Sequence, residues 1–170
     1  MASGEPAPGG GAAAAMSVSL AAALSSMAAR LSTAQLSDAG ELLEQAEVLR
    51  ESVAPLAQAD ATAYERVIEA HREGCDVKAA LSAAADVPLE VAAFGTEVAG
   101  IAARLAKDGN PNLRGDALTA VLLAEAGTRA AVALVEINLS AASAEDDRLK
   151  HAREFANSAR ADRNKVESGV

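Results

Sequence analysis

The chain has 170 residues, a formal net charge of −9 and a single cysteine. Roughly a quarter of it is Ala, well above ordinary usage. No window carries the clustered Lys and Arg that nucleic-acid phosphates need, so that class of partner is excluded. Cys75 is alone, so no intramolecular disulfide can form, and the chain reads as intracellular, with the cytoplasm as its expected location.

Ala is the best helix former, and β-branched residues never fall into alternating runs. The expected fold class is therefore all-α: one domain over residues 1–170, an up-and-down bundle of about five long helices.

Pro6-Ala7-Pro8 leads into Gly9-Gly10-Gly11, and a helix with no charge before Arg30 is predicted from about Ala12 to Ser32. Glycines at a helix start leave backbone N–H groups unshielded, and these together with the helix dipole attract anions. Met16, Leu20, Leu24, Met27 and Leu31 recur at helical spacing, and Ser17, Ala21, Ser25 and Ala29 form a second, small-residue stripe. Two useful faces imply neighbours on both sides. The length would allow a membrane span, but four serines interrupt the helix and most of the rest is Ala, so a buried helix without membrane insertion is expected.

The second predicted helix starts at Asp38, with Glu41 three residues on as in a capping box, and continues to about Glu73 with a kink at Pro55. The third runs from near Asp76 to Lys107, with a kink at Pro88 and Gly109 as its stop. Gly109-Asn110-Pro111-Asn112 has strong turn chemistry. The fourth begins near Asp116 and ends about Ser140, with residues 130–135 reading as buried. Ser143 is the expected cap of a mostly polar fifth helix reaching about Lys165, with a frayed tail from Val166. Helices one and four are too apolar all round for one thin chain to bury, which predicts a homodimer.

Several residues could carry chemistry. Asp60 and Tyr64 are four apart and share a helix face, so a carboxylate could act as acid or base beside a ring platform. On pattern alone, a surface Asp and a half-buried core Tyr is the commoner outcome. N-capping by itself explains Asp116; the functional reading is a carboxylate held beside the Gly109-Asn110 loop. Glu125, Arg129 and Glu136 form one stripe and read as a salt-bridge row. Asn138, between Ile137 and Leu139, either ties helices together or reads a ligand. His71 has no obvious partner. With Cys75 and His151 it has no common metal-ligand spacing, so no metal is expected.

Taken in order, the pieces resemble the cyclodeaminase/cyclohydrolase family of folate one-carbon enzymes. These are Ala7-Pro8-Gly9-Gly10-Gly11 with its Ala-rich helix, Ala59-Asp60-Ala61 with Tyr64, Val87-Pro88-Leu89, Gly109-Asn110, Asp116, and Ile137-Asn138-Leu139. The resemblance implies an all-helical homodimer acting on a tetrahydrofolate derivative without metal or organic cofactor. It implies catalysis by Asp60 and Asp116 in one pocket, with substrate contacts from Gly9, Gly10, Gly11, Tyr64, Asn110 and Asn138 and the folate tail toward the glycines. The expected reaction is hydrolysis of 5,10-methenyltetrahydrofolate to the 10-formyl form. One alternative is closure of 5-formiminotetrahydrofolate with release of ammonia. Another is a non-catalytic helical binding or scaffold protein of the same fold.

Overall fold

The computed structural model describes residues 4, 6–142 and 146–168. Its elements are α1 (Gly10–Arg30), α2 (Ala39–Val53), α3 (Leu56–Glu73), α4 (Val77–Ala84), α5 (Asp86–Asp108), a 3-10 turn (Pro111–Leu113), α6 (Arg114–Ala142) and α7 (Asp147–Glu167). No strand occurs among the described residues. The five predicted helices are present, two of them broken at proline-linked joints.

The first break is at Ala54 and Pro55, where the second predicted helix divides into α2 and α3. Pro55 has no N–H to extend the hydrogen-bond ladder. The second break is not at Pro88 itself but at Ala85, between α4 and α5. Pro88 then lies in the first turn of α5, where a missing N–H costs nothing.

Helix caps differ in detail from the expected ones. Asp38 does not cap α2 with its side chain but pairs with Arg104 at 3.5 Å. Asp76 does cap α4, accepting from the Ala79 N–H at 3.2 Å. α6 starts at Arg114, which puts Asp116 within its first turn instead of at the cap. The predicted Ser143 cap lies outside the described residues. Asp146 caps α7, accepting from the Arg148 N–H at 2.9 Å. Arg148 also binds Asp86 and donates to the Ser82 carbonyl at 2.9 Å, locking the α4–α5 joint to α7. The tail does not fray at Val166, which is buried on a helix that runs to Glu167.

The centre of the bundle is built from small residues. α1 turns Gly11, Ala14, Val18, Ala21, Ala22, Ser25, Ala28 and Ala29 inward against α2, α5 and α6. An added Cβ at Gly127 of α6 would lie 2.7 Å from Val18 Cγ2 and 3.1 Å from the Ala14 carbonyl oxygen, so the two backbones nearly touch there. Buried Ser25 and Ser26 donate to carbonyls one turn back, at 2.9 and 3.0 Å, which satisfies their hydroxyls.

Close approach of this kind leaves no room for the larger side chains of α1. Met16, Leu20, Met27 and Leu31 are 37–58% exposed. Residues 130–135 of α6 do not form the continuous buried run the sequence predicts: Ala131, Val132 and Val135 are buried, but Ala130 and Ala133 are exposed. α1 and α6 meet the length and hydropathy of membrane spans, yet 56% and 50% of those windows are buried inside the bundle.

Candidate active site

A cavity of about 310 Å³ opens where the start of α1, the middle of α3 and the C-terminal part of α6 meet. Its lining includes the three glycines, Asp60, Tyr64, Leu134, Ile137 and Asn138. Six of the eight residues singled out from the sequence therefore share one hollow.

Asp60 is half-buried on α3. Burial pushes its carboxyl above the ordinary Asp value, partly offset by the Ala12 backbone N–H, which stabilises the ionised form. This contact changes the role expected of the glycines. Gly10 and Gly11 are not a loop but the first residues of α1. A Cβ on Gly11 would fall on the Asp60 carboxyl group, well inside the 3.0 Å that real Cβ atoms keep. Gly11 is thus the space in which the Asp60 carboxylate sits. The helix start does attract an anion, and that anion is the chain's own Asp60. Gly10 meets only the Leu134 methyls, at 3.9 Å, and Gly9 only the Pro6 carbonyl, at 4.0 Å.

Tyr64 is 46% exposed and stands one turn beyond Asp60 on the cavity wall. Asn138 is half-buried, and its amide nitrogen donates to the Ala84 carbonyl at 3.1 Å. It therefore ties α6 to the end of α4 while its side chain borders the cavity. The apolar wall, Leu134 and Ile137, was not anticipated, because nothing separates two aliphatic residues from their neighbours in a helix this apolar. A more open hollow of about 790 Å³ lies beside α3 and α4, shares Ala84 with the first, and carries Arg66 on its lining.

Asp116 and Asn110 are not in this cavity. α1 and α6 are antiparallel: Gly10 faces Leu134, and Ala14 and Val18 face Gly127. Asp116 lies 22 residues before Asn138 on one helix, about 33 Å away at 1.5 Å per residue. The expected convergence of Asp60 and Asp116 does not occur within one chain, because Asp60 of α3 lines a cavity at the C-terminal part of α6, whereas Asp116 lies in the first turn of α6. Asn110 is at Asp116's end, and its polar groups serve the protein. Its N–H donates to Ser32 Oγ and its amide to the Leu31 carbonyl, both at 2.9 Å, while its Oδ1 accepts from the Asn112 N–H at 3.0 Å.

The remaining candidates do not line this cavity. Glu125 pairs with Arg129 at 3.4 Å, whereas Glu136 turns to Arg153 of α7 at 2.8 Å, so the predicted row is two separate pairs. His71 is exposed near the end of α3, and Cys75 is exposed with its thiol pushed up by a hydrogen bond to Glu73. Among the described residues no three His, Cys, Asp or Glu side chains are grouped as metal ligands would be.

The family model for formiminotransferase-cyclodeaminase matches residues 1–157. Methenyltetrahydrofolate cyclohydrolase of Methylorubrum extorquens is 34% identical over 155 residues, covering 81% of this chain and 74% of the relative. The solved structure of formiminotetrahydrofolate cyclodeaminase from Thermotoga maritima superposes with a TM-score of 0.89 at 28% identity, over 98% of this chain and 89% of the other. With a family match across most of its length and a half-buried carboxylate in the matching helical frame, the chain belongs to the formiminotransferase-cyclodeaminase family of folate one-carbon enzymes.

Proposed function

We propose that the protein hydrolyses 5,10-methenyltetrahydrofolate to 10-formyltetrahydrofolate, with Asp60 as its acid/base. The observation that carries this reading is the Asp60 carboxylate, half-buried against Gly11 with Tyr64 and Asn138 on the same cavity wall. The methenyl bridge is cationic. A carboxylate stabilises that charge, and the face of Tyr64 offers a second, weaker attraction. The bridge, and not the anionic tail, therefore belongs beside α1's start, which Asp60 already occupies.

Asp60 takes a proton from water as the water oxygen bonds to the bridge carbon. The neutral adduct then opens. The bond from that carbon to N5 breaks, N5 takes the proton held by Asp60, and the adduct hydroxyl gives its proton to solvent as the formyl C=O forms on N10. One water is consumed and one proton released, as loss of the cation requires. These steps move only protons and one bond pair, so the proposed reaction uses no metal or organic cofactor, and exhaustive chelation should leave the rate unchanged.

Ammonia-releasing ring closure of the formimino derivative is the second reading. Two observations favour it: the Thermotoga relative bears that name, and a carboxyl raised above its ordinary value more readily holds the proton that departing ammonia needs. Loss of methenyltetrahydrofolate above the spontaneous rate, run beside ammonia release from the formimino substrate, decides between them. Asp60→Asn should lower the true activity by about 100- to 10,000-fold. Tight folate binding without turnover of either substrate would instead make the chain a non-catalytic binding protein.

A further inference from the structure

On the reading that places the one-carbon bridge beside Asp60, we propose that the hollow between α3 and α4 takes the benzoyl-glutamate end of the folate, with the Arg66 guanidinium binding a glutamate carboxylate.

A tetrahydrofolate joins a pterin, a benzoyl ring and a glutamate end to end. The Asp60 cavity, at about 310 Å³, stands at the bottom of the range of about 300–1,000 Å³ that encloses most of a drug-sized ligand. A folate with its bridge at Asp60 therefore extends beyond it. The neighbouring hollow offers about 790 Å³ and meets the first at Ala84.

α3 is the wall common to both. Asp60 and Tyr64 line the first hollow, and Ala59, Ala63 and Arg66 line the second. Ala80 and Ala83 of α4 and Val87 of α5 complete its apolar part. With only methyl-sized groups on both the α3 and α4 sides, the slot is apolar and unobstructed, which suits a flat ring.

Charge decides where the tail ends. In a chain of net charge −9, most of the surface repels a dianionic glutamate. Among the described residues, no Lys or Arg lines the Asp60 cavity, and Arg66 is the cation on the neighbouring lining. Arg66 is exposed, and its guanidinium is engaged in no ion pair or hydrogen bond among the described residues. Asp86, the acid on the same lining, is held by Arg148. Arg66 lies six residues beyond Asp60 on α3, about 9 Å along the axis at 1.5 Å per residue. The benzoyl ring and its amide span a comparable distance from N10 to the first glutamate carboxylate. A guanidinium can bind that carboxylate through two parallel N–H donors.

The test crosses one protein variant with one ligand truncation. The ligands are 5-formyltetrahydrofolate, a stable reduced folate, and its analogue with methylamine in place of glutamate, which ends in an uncharged amide. Calorimetry should show wild type binding the folate about 10-fold more tightly than the analogue. Arg66→Gln should bind both about equally, by losing affinity for the folate alone. Arg66 is exposed and unpaired, so its replacement should leave the melting curve unchanged. For whichever substrate is turned over, the loss should fall on KM by about 10-fold and not on kcat, because the tail contact is the same in ground and transition states.

Unchanged folate affinity in Arg66→Gln, or an equal loss for both ligands, overturns the assignment while leaving the catalytic reading of Asp60 intact. A folate preference that vanishes in Arg66→Gln, in a protein that turns over neither substrate, supports the tail site and overturns the catalytic reading instead. Binding of neither ligand by wild type overturns both.

Discussion

Replacing Gly11 by Ala separates the site from the fold. Elsewhere on an exposed helix the change would stabilise, since Gly costs up to about 1 kcal/mol relative to Ala. Here the new methyl falls on the Asp60 carboxyl group, about 1 Å inside ordinary contact. The obstructing atoms are the end of a short side chain able to rotate, not backbone, so the bundle has a way to relieve the clash. Asp60 swings out, and with it goes the contact to the Ala12 N–H. A misplacement of this size costs on the order of 100-fold in rate, and complete loss of the proton-transfer group up to about 10,000-fold. The expected result is a drop in kcat of about 100-fold or more with a melting temperature close to wild type. Gly10→Ala is the matched control: it meets only Leu134 methyls at 3.9 Å and should keep activity within about twofold. Adding Asp60→Asn to Gly11→Ala should cost little more, because both changes remove one function. Full activity in Gly11→Ala would refute the idea that this glycine exists to seat Asp60.

Gly127→Ala should do the reverse and harm stability first. Its Cβ would press on Val18 and the Ala14 carbonyl between two packed helices, an overpacking worth about 1–3 kcal/mol, seen as a melting temperature lower by roughly 2–10 °C. The pH dependence of Asp60 has a definite sign. Its folded-state value is raised above 3.8, so ionisation costs folding stability. That cost is absent below the unfolded value, grows as pH rises through the interval up to the folded value, and is complete above it. Asp60→Asn should therefore be at least as stable as wild type at neutral pH, with the difference closing below about pH 4 in melting curves. In the hydrolase reading, kcat/KM should fall with acid through the raised Asp60 value, and whatever activity remains in Asp60→Asn should lack that limb.

Much of the fold was legible because Ala-rich helices bounded by Pro and Gly leave few alternatives. Pro55 marked the joint of α2 and α3. Pro88 marked a joint only to within three residues, because proline is equally content in the first turn of a new helix. The cap expected of Asp38 failed for a tertiary reason: Arg104, 66 positions away, holds the carboxylate. The inward face of α1 was read only in part: Ala21, Ser25 and Ala29 of the small-residue stripe are buried, but Met16, Leu20, Met27 and Leu31 of the other stripe are exposed. One stripe is large and apolar, the other small, and the habit of turning the larger side chains inward gives the wrong answer. Here Gly95 and Gly127 let α5 and α6 close on Val18, and along the rest of the buried face of α1 the residues are Ala, Ser and Gly.

The site divides along the same line. Helical spacing joins Asp60 and Tyr64, whereas Asn138 was grouped with them only by the family resemblance; the antiparallel packing of α1 and α6 is what brings it to their cavity. The same packing puts Asp116, in the first turn of α6, at the far end. An up-and-down bundle cannot bring two helix starts together when those helices are antiparallel neighbours. A family resemblance read along the chain hides this, because it orders residues by position and says nothing of the ends they occupy. The misplaced carboxylate and the uncovered Met16–Leu31 strip then share one physical origin. Small residues draw α1 and α6 together inside the chain, which expels the large apolar side chains to the outside, and the strip they form connects the two ends at which Asp60 and Asp116 are held.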